Sequence, residues 1–279
     1  MRSEIDQIAS LFSASSINAL LDGNFSQFSL AKQILGFSET DELKVIDIVK
    51  QSFEFLKKNY PYEYVYKCTL FKNIVLGVHS PNTTAMLSEL KLGTSKVDAM
   101  IINGIATSYE IKSEFDNFDR LEKQLFDYTA YSDKVFVVCS SKNADPIKNK
   151  ISNSFGLMVL NKRGSFSIMR DSKLFNPSYT ADKATSLLTA PELRNISREI
   201  NNNIDNVPNT QLVKKCNKLI STLPPSQIKQ NVFEALKSRG LSKNKVVSRL
   251  PYQLSGRALS LKISQRKQDA FFEALSTPI

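Results

Sequence analysis

The chain has 279 residues, 42% of them apolar and 23% charged, with a net charge of +10; such a composition suits one large or two modest globular domains and excludes general disorder. No apolar run approaches the ~18 residues that a membrane helix needs, and the acid-bearing start, Met1 to Asp6, does not read as a secretory signal. Three scattered cysteines (Cys68, Cys139 and Cys216) and the lone His79 exclude a multi-histidine metal site and a zinc cluster of recognisable spacing, and they predict a cytoplasmic chain with free thiols.

Ile5, Ile8, Leu11, Ile17, Leu20 and Leu21 fall at helical spacing within 4–22, predicting a helical N-terminal extension over 1–39. An amphipathic helix follows over 40–59, capped by Thr40 or Asp41, with the stripe Leu43, Ile46, Val49, Phe53 and Leu56; Pro61 ends it. Residues 62–78 are rich in Tyr, Val, Ile and Phe and predict an extended, paired segment. Residues 82–91 predict a short helix that Gly93 stops, and 96–112 predict a hairpin. A second amphipathic helix over 117–131 turns Leu121, Leu125 and Tyr128 inward, and the apolar run Lys134 to Cys139 reads as a buried strand. A short helix near 145–153, a strand at 156–160, a turn over Asn161 to Gly164 and a partner strand at 165–170 complete this part. The polar stretch 201–209 reads as a linker. Beyond it come helical patterns at 210–221, 226–239, 242–250 and 264–275, broken by Pro224-Pro225, Gly240, Pro251 and Gly256. Residues 201–279 hold 13 Lys and Arg against 4 acids, a surplus of 9, so nearly all the excess charge sits there. A basic unit beside a near-neutral one predicts a polyanion-binding appendage. Its candidate phosphate contacts are Lys214, Lys215, Lys218, Lys237, Arg239, Lys243, Lys245, Arg249, Arg257, Lys262, Arg266 and Lys267.

The hairpin carries the chemistry. Asp98 stands on its first strand and Glu110-Ile111-Lys112 on its second. Side chains alternate along a strand, so Lys112 shares a face with Glu110. A two-residue Asn103-Gly104 turn would pair Asp98 with Tyr109 and send Glu110 to the wrong face. An extra residue at the turn, or a bulge near Gly104, pairs Asp98 with Glu110 instead. On the helix that follows, Arg120, Gln124 and Tyr128 fall at i, i+4 and i+8, near one face.

The Asp98 and Glu110-Ile111-Lys112 pattern resembles the PD-(D/E)XK nuclease superfamily, and Gln124 to Tyr128 matches the Gln-X-X-X-Tyr element of its RecB-like members. Tyr109 to Ser113, then Asp116 with Arg120-Leu121, then Gln124, are similar to a bacterial and phage branch of that superfamily. The resemblance covers roughly residues 40–195, and Val97 replaces the proline of the family name. It implies an α/β restriction-endonuclease-like core over 40–200, in the order helix, hairpin, helix, buried strand, followed by an all-α basic unit over 210–279. It also implies a Mg²⁺- or Mn²⁺-dependent hydrolase that cuts phosphodiester bonds, with DNA favoured over RNA. Asp98 and Glu110 would hold metal, with the Ile111 carbonyl as a further ligand and Glu89, expected on the helix before the hairpin, as another acid; Glu63 is the weaker candidate for that last role. Lys112 would orient water or offset charge, Gln124 and Tyr128 would position phosphate or water, and Arg120 would contact phosphate.

Two other readings stand beside this one. The first is a nucleic-acid-binding protein on a nuclease-like fold with weak or lost catalysis. The second is a partner protein, or a homo-oligomer, assembled through the carboxyl-terminal helices.

Overall fold

The computed structural model describes residues 2–161, 163–260 and 265–279. Its centre is a six-stranded mixed sheet: β1 (Ala85–Leu92), β2 (Ser95–Asn103), β3 (Ile105–Lys112), β4 (Lys134–Ser140), β5 (Gly156–Leu160) and β6 (Phe166–Arg170), ordered in space as in sequence. β1, β2 and β3 form an antiparallel meander; β3, β4 and β5 run parallel; β6 returns antiparallel. Parallel neighbours need a crossover, supplied by α6 (Leu121–Thr129) and α7 (Ala144–Lys150), which follow β3 and β4.

Helices cover both faces. On one side α1 (Arg2–Ser10), α2 (Ala14–Leu21), α3 (Ser26–Ile34), α4 (Val45–Asn59), α5 (Glu63–Leu70), α12 (Ser255–Ser260) and α13 (Gln265–Ser276) share an apolar core with Ala99, Ile101, Tyr109, Ile111 and Phe136 of the sheet. On the other, α6 and α7 join α8 (Ala181–Leu187), α9 (Ala190–Ile200) and α10 (Asn209–Ile220) against Met100, Ile102, Val135 and Val137. The long helix α11 (Pro225–Val247) links the layers, with Ile228, Val232 and Leu236 in the second core and Val247 in the first. Residues 1–39, 40–200 and 210–279 therefore all contribute to these two shared cores.

The hairpin, the strands at β4 to β6 and the helices α6 and α7 lie where their sequence patterns predict. Of the turn before β6, Lys162 lies outside the described residues, as does Ser264 at the start of the last predicted helix. Four other expectations are corrected. Residues 62–78 are not extended: Glu63–Leu70 is an α-helix that runs on into a π-helical stretch, Phe71–Val78. Tyr64 to Leu70 are all buried, so burial on every side outweighs the strand preference of Val and Tyr. Residues 82–91 are not a helix, because Ala85 to Leu92 pair along β2 and a two-residue turn at Gly93 (φ 63°) and Thr94 closes that hairpin. The helix predicted from residue 40 begins at Val45, where the Asp47 carboxylate accepts the Lys44 N–H at 3.3 Å. Gly240 does not break α11. It marks where the helix crosses the edge strand: a Cβ there would lie 2.5 Å from the Ala85 Cβ. Helices α8, α9 and α12, and a 3-10 turn over Asn202–Asn206 within the predicted linker, go beyond the predicted elements, while α3 falls within the predicted helical extension.

Candidate active site

The hairpin register decides the site. Asn103 pairs with Ile105 and Ala99 with Tyr109, leaving Gly104 alone at the tip with φ 76°. Carried one step further, this register sets Asp98 opposite Glu110, as the single-residue tip requires. On the other flank Ser88 pairs with Ala99 and Leu90 with Val97, so Glu89 also lies across from Asp98. Three acids thus stand in one row across β1, β2 and β3.

Glu89 interrupts that row. Its φ of 58° is a left-handed conformation that a non-glycine residue rarely adopts. Ala85 and Leu87 face the second core before it and Leu90 and Leu92 after it, so the alternation of β1 slips by one at Glu89. The slip frees the carboxylate from the core face. Lys67 of α5 and Lys96 of β2 both pair with it, the latter at 2.5 Å. Residues in such conformations cost about 1–3 kcal/mol and cluster at functional sites.

The row opens into a cleft of about 630 Å³ whose lining includes Glu63, Glu89, Asp98, Glu110, Lys112 and Gln124. Carboxylate oxygens of Glu63, Glu89 and Asp98 lie within 4.8 Å of one another. The Ile111 N–H donates to Asp98 Oδ2 at 2.7 Å, holding that carboxylate against β3. Glu110 is buried. Tyr128, also buried, donates to its Oε2 at 2.6 Å, and Lys112 Nζ lies 2.9 Å from its Oε1. Lys112 also donates to Gln124 Oε1 at 3.2 Å. The Gln124 and Tyr128 pair on α6 therefore fixes the Glu110–Lys112 couple from the helix side.

Burial and the facing Glu110 push the Asp98 carboxyl well above its usual range; the Ile111 N–H opposes this. Burial also raises Glu110, opposed by Lys112, Tyr128 and Gln124. Burial would raise Glu89 too, but the two lysines hold it below its usual value. Lys67 runs the other way: burial lowers its pKa, and Glu63 and Glu89 more than restore it, so the ammonium is held charged inside the acidic cluster.

The cleft gathers every expected residue of the catalytic set: Glu89, Asp98, Glu110, Ile111, Lys112, Arg120 and Gln124 line it, and Tyr128 lies directly beneath Glu110. One of these differs from expectation in placement: Glu89 lies on a strand rather than a helix. The sequence reading missed Lys67, Lys96 and Lys123, of which the last two line the cleft. Glu63 and Lys67 are i and i+4 on α5 and pair at 2.6 Å; that spacing becomes a signal only once the segment is read as a helix. Lys123 lies one turn from Arg120 on the same helix and was open to the same argument.

The basic residues of the carboxyl-terminal helices fare differently. Lys214, Lys215 and Lys218 are exposed on α10, and Lys237 is half-buried on α11. Three arginines serve the fold. Arg239 is paired with Glu192 and donates to Leu187 O, Arg257 donates to Phe12 O at 2.8 Å, and Arg249 stacks over Phe272 at 4.8 Å. Lys262 lies outside the described residues, and so do the side chains of Lys243, Lys245, Arg266 and Lys267.

Three comparisons bear on this chain. The model of a family described as bacteriophage P4 protein cII matches residues 33–261, a span that holds the whole cleft. Protein cII of enterobacteria phage P4 is 31% identical over 70 residues, which are 25% of this chain and 26% of that protein; the chain thus aligns with about a quarter of the length of this curated relative. Among solved structures, a Silicibacter pomeroyi protein of unknown function aligns at a TM-score of 0.28 with 16% identity, covering 33% of this chain and 62% of that one.

Proposed function

This chain belongs to the bacteriophage P4 protein cII family, whose model spans residues 33–261, and we propose that it is a metal-dependent nuclease of the PD-(D/E)XK type acting on DNA. The observation that carries this reading is the convergence of Asp98, Glu110 and Lys112 in one open cleft, with Glu63, Glu89 and Gln124 around them. The order of helix, antiparallel meander, helix and parallel strand agrees with the core that the motif implies.

The donor set fits a hard divalent cation. Three carboxylates whose oxygens approach within 4.8 Å offer only oxygen ligands, as Mg²⁺ and Mn²⁺ favour. Asp98, Glu89 and Glu63 would hold the ion, with Glu110 and the Ile111 carbonyl as the ligands that the motif adds. A bound divalent cation supplies Lewis-acid polarisation of a phosphate and a more acidic water. The chain's own part is positional and electrostatic. Lys112, fixed by Glu110 and Gln124, presents an ammonium that can orient a water or offset charge developing on phosphorus. Arg120, exposed at the start of α6, can take a phosphate oxygen. Tyr128 holds the Glu110 carboxylate ready.

One observation favours the runner-up, a nucleic-acid-binding protein with weak or lost catalysis. Lys67 already pairs with both Glu63 and Glu89 from within the cluster, occupying the place a cation would take. Incubation of the protein with duplex and single-stranded DNA and RNA, with Mg²⁺, Mn²⁺ or chelator, separates the two. Cation-dependent cleavage that Glu110→Ala abolishes while binding survives supports the nuclease; binding without cleavage under any cation supports the runner-up.

A further inference from the structure

The loop that leaves the active-site strand carries an exposed aromatic ring. Ser113 to Asp116 connect Lys112 toward α6, and the Asp116 carboxylate clamps the loop by accepting the Ser113 N–H at 2.8 Å and the Ser113 hydroxyl at 2.6 Å. Asp116 faces the acidic cleft, while Glu114 and Phe115 face a second cavity of about 700 Å³. The loop is thus the wall between the two. Phe115 is 56% exposed, so more than half of its surface stays open to the cavity and solvent.

Its orientation is nevertheless fixed. Phe115 lies against Tyr60 with centroids 4.4 Å apart and planes at 30°; Tyr60 stacks on Tyr62 at 5.7 Å and Tyr62 on Tyr64 at 6.0 Å. Phe115 is the outer rung of a four-ring ladder whose inner rung is buried in the core. The rest of the lining mixes Pro61, Tyr66 and Leu160 with polar groups, and its charges balance. Lys57 pairs with Glu54 at 3.2 Å, Lys58 and Glu114 add one charge of each sign, and Asn59 and Asn161 offer donors and acceptors. A pocket built for phosphate would carry a strong positive excess; a neutral, hydrogen-bonding pocket with a rigid aromatic wall suits a flat, uncharged heterocycle.

We propose that Phe115 is a stacking platform for an unpaired nucleobase, so that the nucleic acid entering the active site does so as a single strand. This rests on the nuclease reading for the adjoining cleft. A base inside a duplex is stacked on both faces and cannot reach the ring, whereas a single strand offers free π-faces that stack on aromatic rings whatever the base.

The chain has no tryptophan, so a full-length Phe115→Trp protein carries a single tryptophan at the proposed platform, excited selectively over the nine tyrosines. It is titrated with oligo(dT), oligo(U) and a DNA duplex in chelator, where no cleavage occurs, and Phe115→Ala is titrated in parallel by anisotropy. The expected result is saturable quenching by a single strand and none by duplex, with Phe115→Ala losing at least about 5-fold in single-strand affinity and nothing in duplex affinity. The two single-strand arms decide between DNA and RNA. An unmoved tryptophan signal at saturating single strand, equal single-strand affinity of wild type and Phe115→Ala, or no single-strand binding overturns the proposal. Its failure is separable from that of the nuclease reading. Cation-dependent cleavage lost in Lys112→Ala, with a null result at Phe115, removes only the platform; quenching without cleavage removes only the catalysis.

Discussion

Asp98 carries the sharpest consequence of burial. Its carboxyl is raised by burial and by Glu110, so the folded chain keeps a proton that the unfolded chain releases above about pH 4. Stability from this group therefore falls as pH rises from that value through the raised folded one. In chelator, Asp98→Asn should melt higher than wild type at pH 8, and the gap should close on acidification towards pH 4. A gap that is the same at every pH would show that Asp98 is not held in an unfavourable charged state. The amide oxygen keeps the acceptor for the Ile111 N–H, so the comparison isolates charge. Glu110 and Tyr128 give a second test. Tyr128→Phe removes the 2.6 Å donor to Glu110, which should raise the Glu110 pKa further and cost about 1 kcal/mol of stability. An alkaline displacement of the acid limb of the cleavage profile, without loss of fold, is the result expected; an unmoved limb would put Tyr128 outside the site. The sequence exposed most of these residues through spacing. It could not expose Lys67, whose partners Glu63 and Glu89 stand four residues back on its own helix and far along the chain on a strand.

Elements were legible where one period dominated. The hairpin, α6 and β4 carry unmixed strand or helix patterns, and their placement follows. Residues 62–78 and 82–91 failed for opposite reasons. In the first, Tyr64 to Leu70 are buried on every side of their helix, which leaves no amphipathic period to read. The second mixes charged and apolar residues at helical spacing because the alternation of β1 slips at Glu89. The same slip sets Glu89 into the cleft, so the misread strand and the third acid of the cleft have one cause. Helix α11 makes a comparable point. Gly240 reads as a breaker, yet it permits the close crossing of β1, where the Ala85 Cα would lie 3.2 Å from an added Cβ. Gly240→Ala raises helix propensity but forces a core shift, and the net effect should be a loss of about 1–3 kcal/mol in denaturant unfolding. A variant as stable as wild type would mean that the crossing can relax.

At the scale of the molecule, the carboxyl-terminal helices complete both cores: Val232 and Leu236 pack in one, Val247 and Phe271 in the other. Removing residues 210–279 would expose both layers, so charge reversal is the better probe of their part in binding. Replacing Lys214, Lys215 and Lys218, all exposed on α10, should leave the melting temperature unchanged. If the three contact duplex phosphates, the salt slope of binding should fall by about 2.7, from ~0.9 per contact; an unchanged slope would place the anchor elsewhere, with Arg120 and Lys123 at the cleft the next to test. By itself the sequence determined the mixed α/β class and the hairpin, and it placed Asp98, Glu110 and Lys112 on the hairpin strands and Gln124 and Tyr128 near one helix face, because each depends on periodicity or spacing within a few dozen residues; the single-residue tip that sets Asp98 across from Glu110 was left to the structure. Only the tertiary structure decided that Glu63 and Glu89 join Asp98, that Lys67 sits among them, and that a helix beyond residue 225 seals the edge of β1. Those contacts join segments far apart in sequence, where packing against a shared core, and no local pattern, sets which side chains meet.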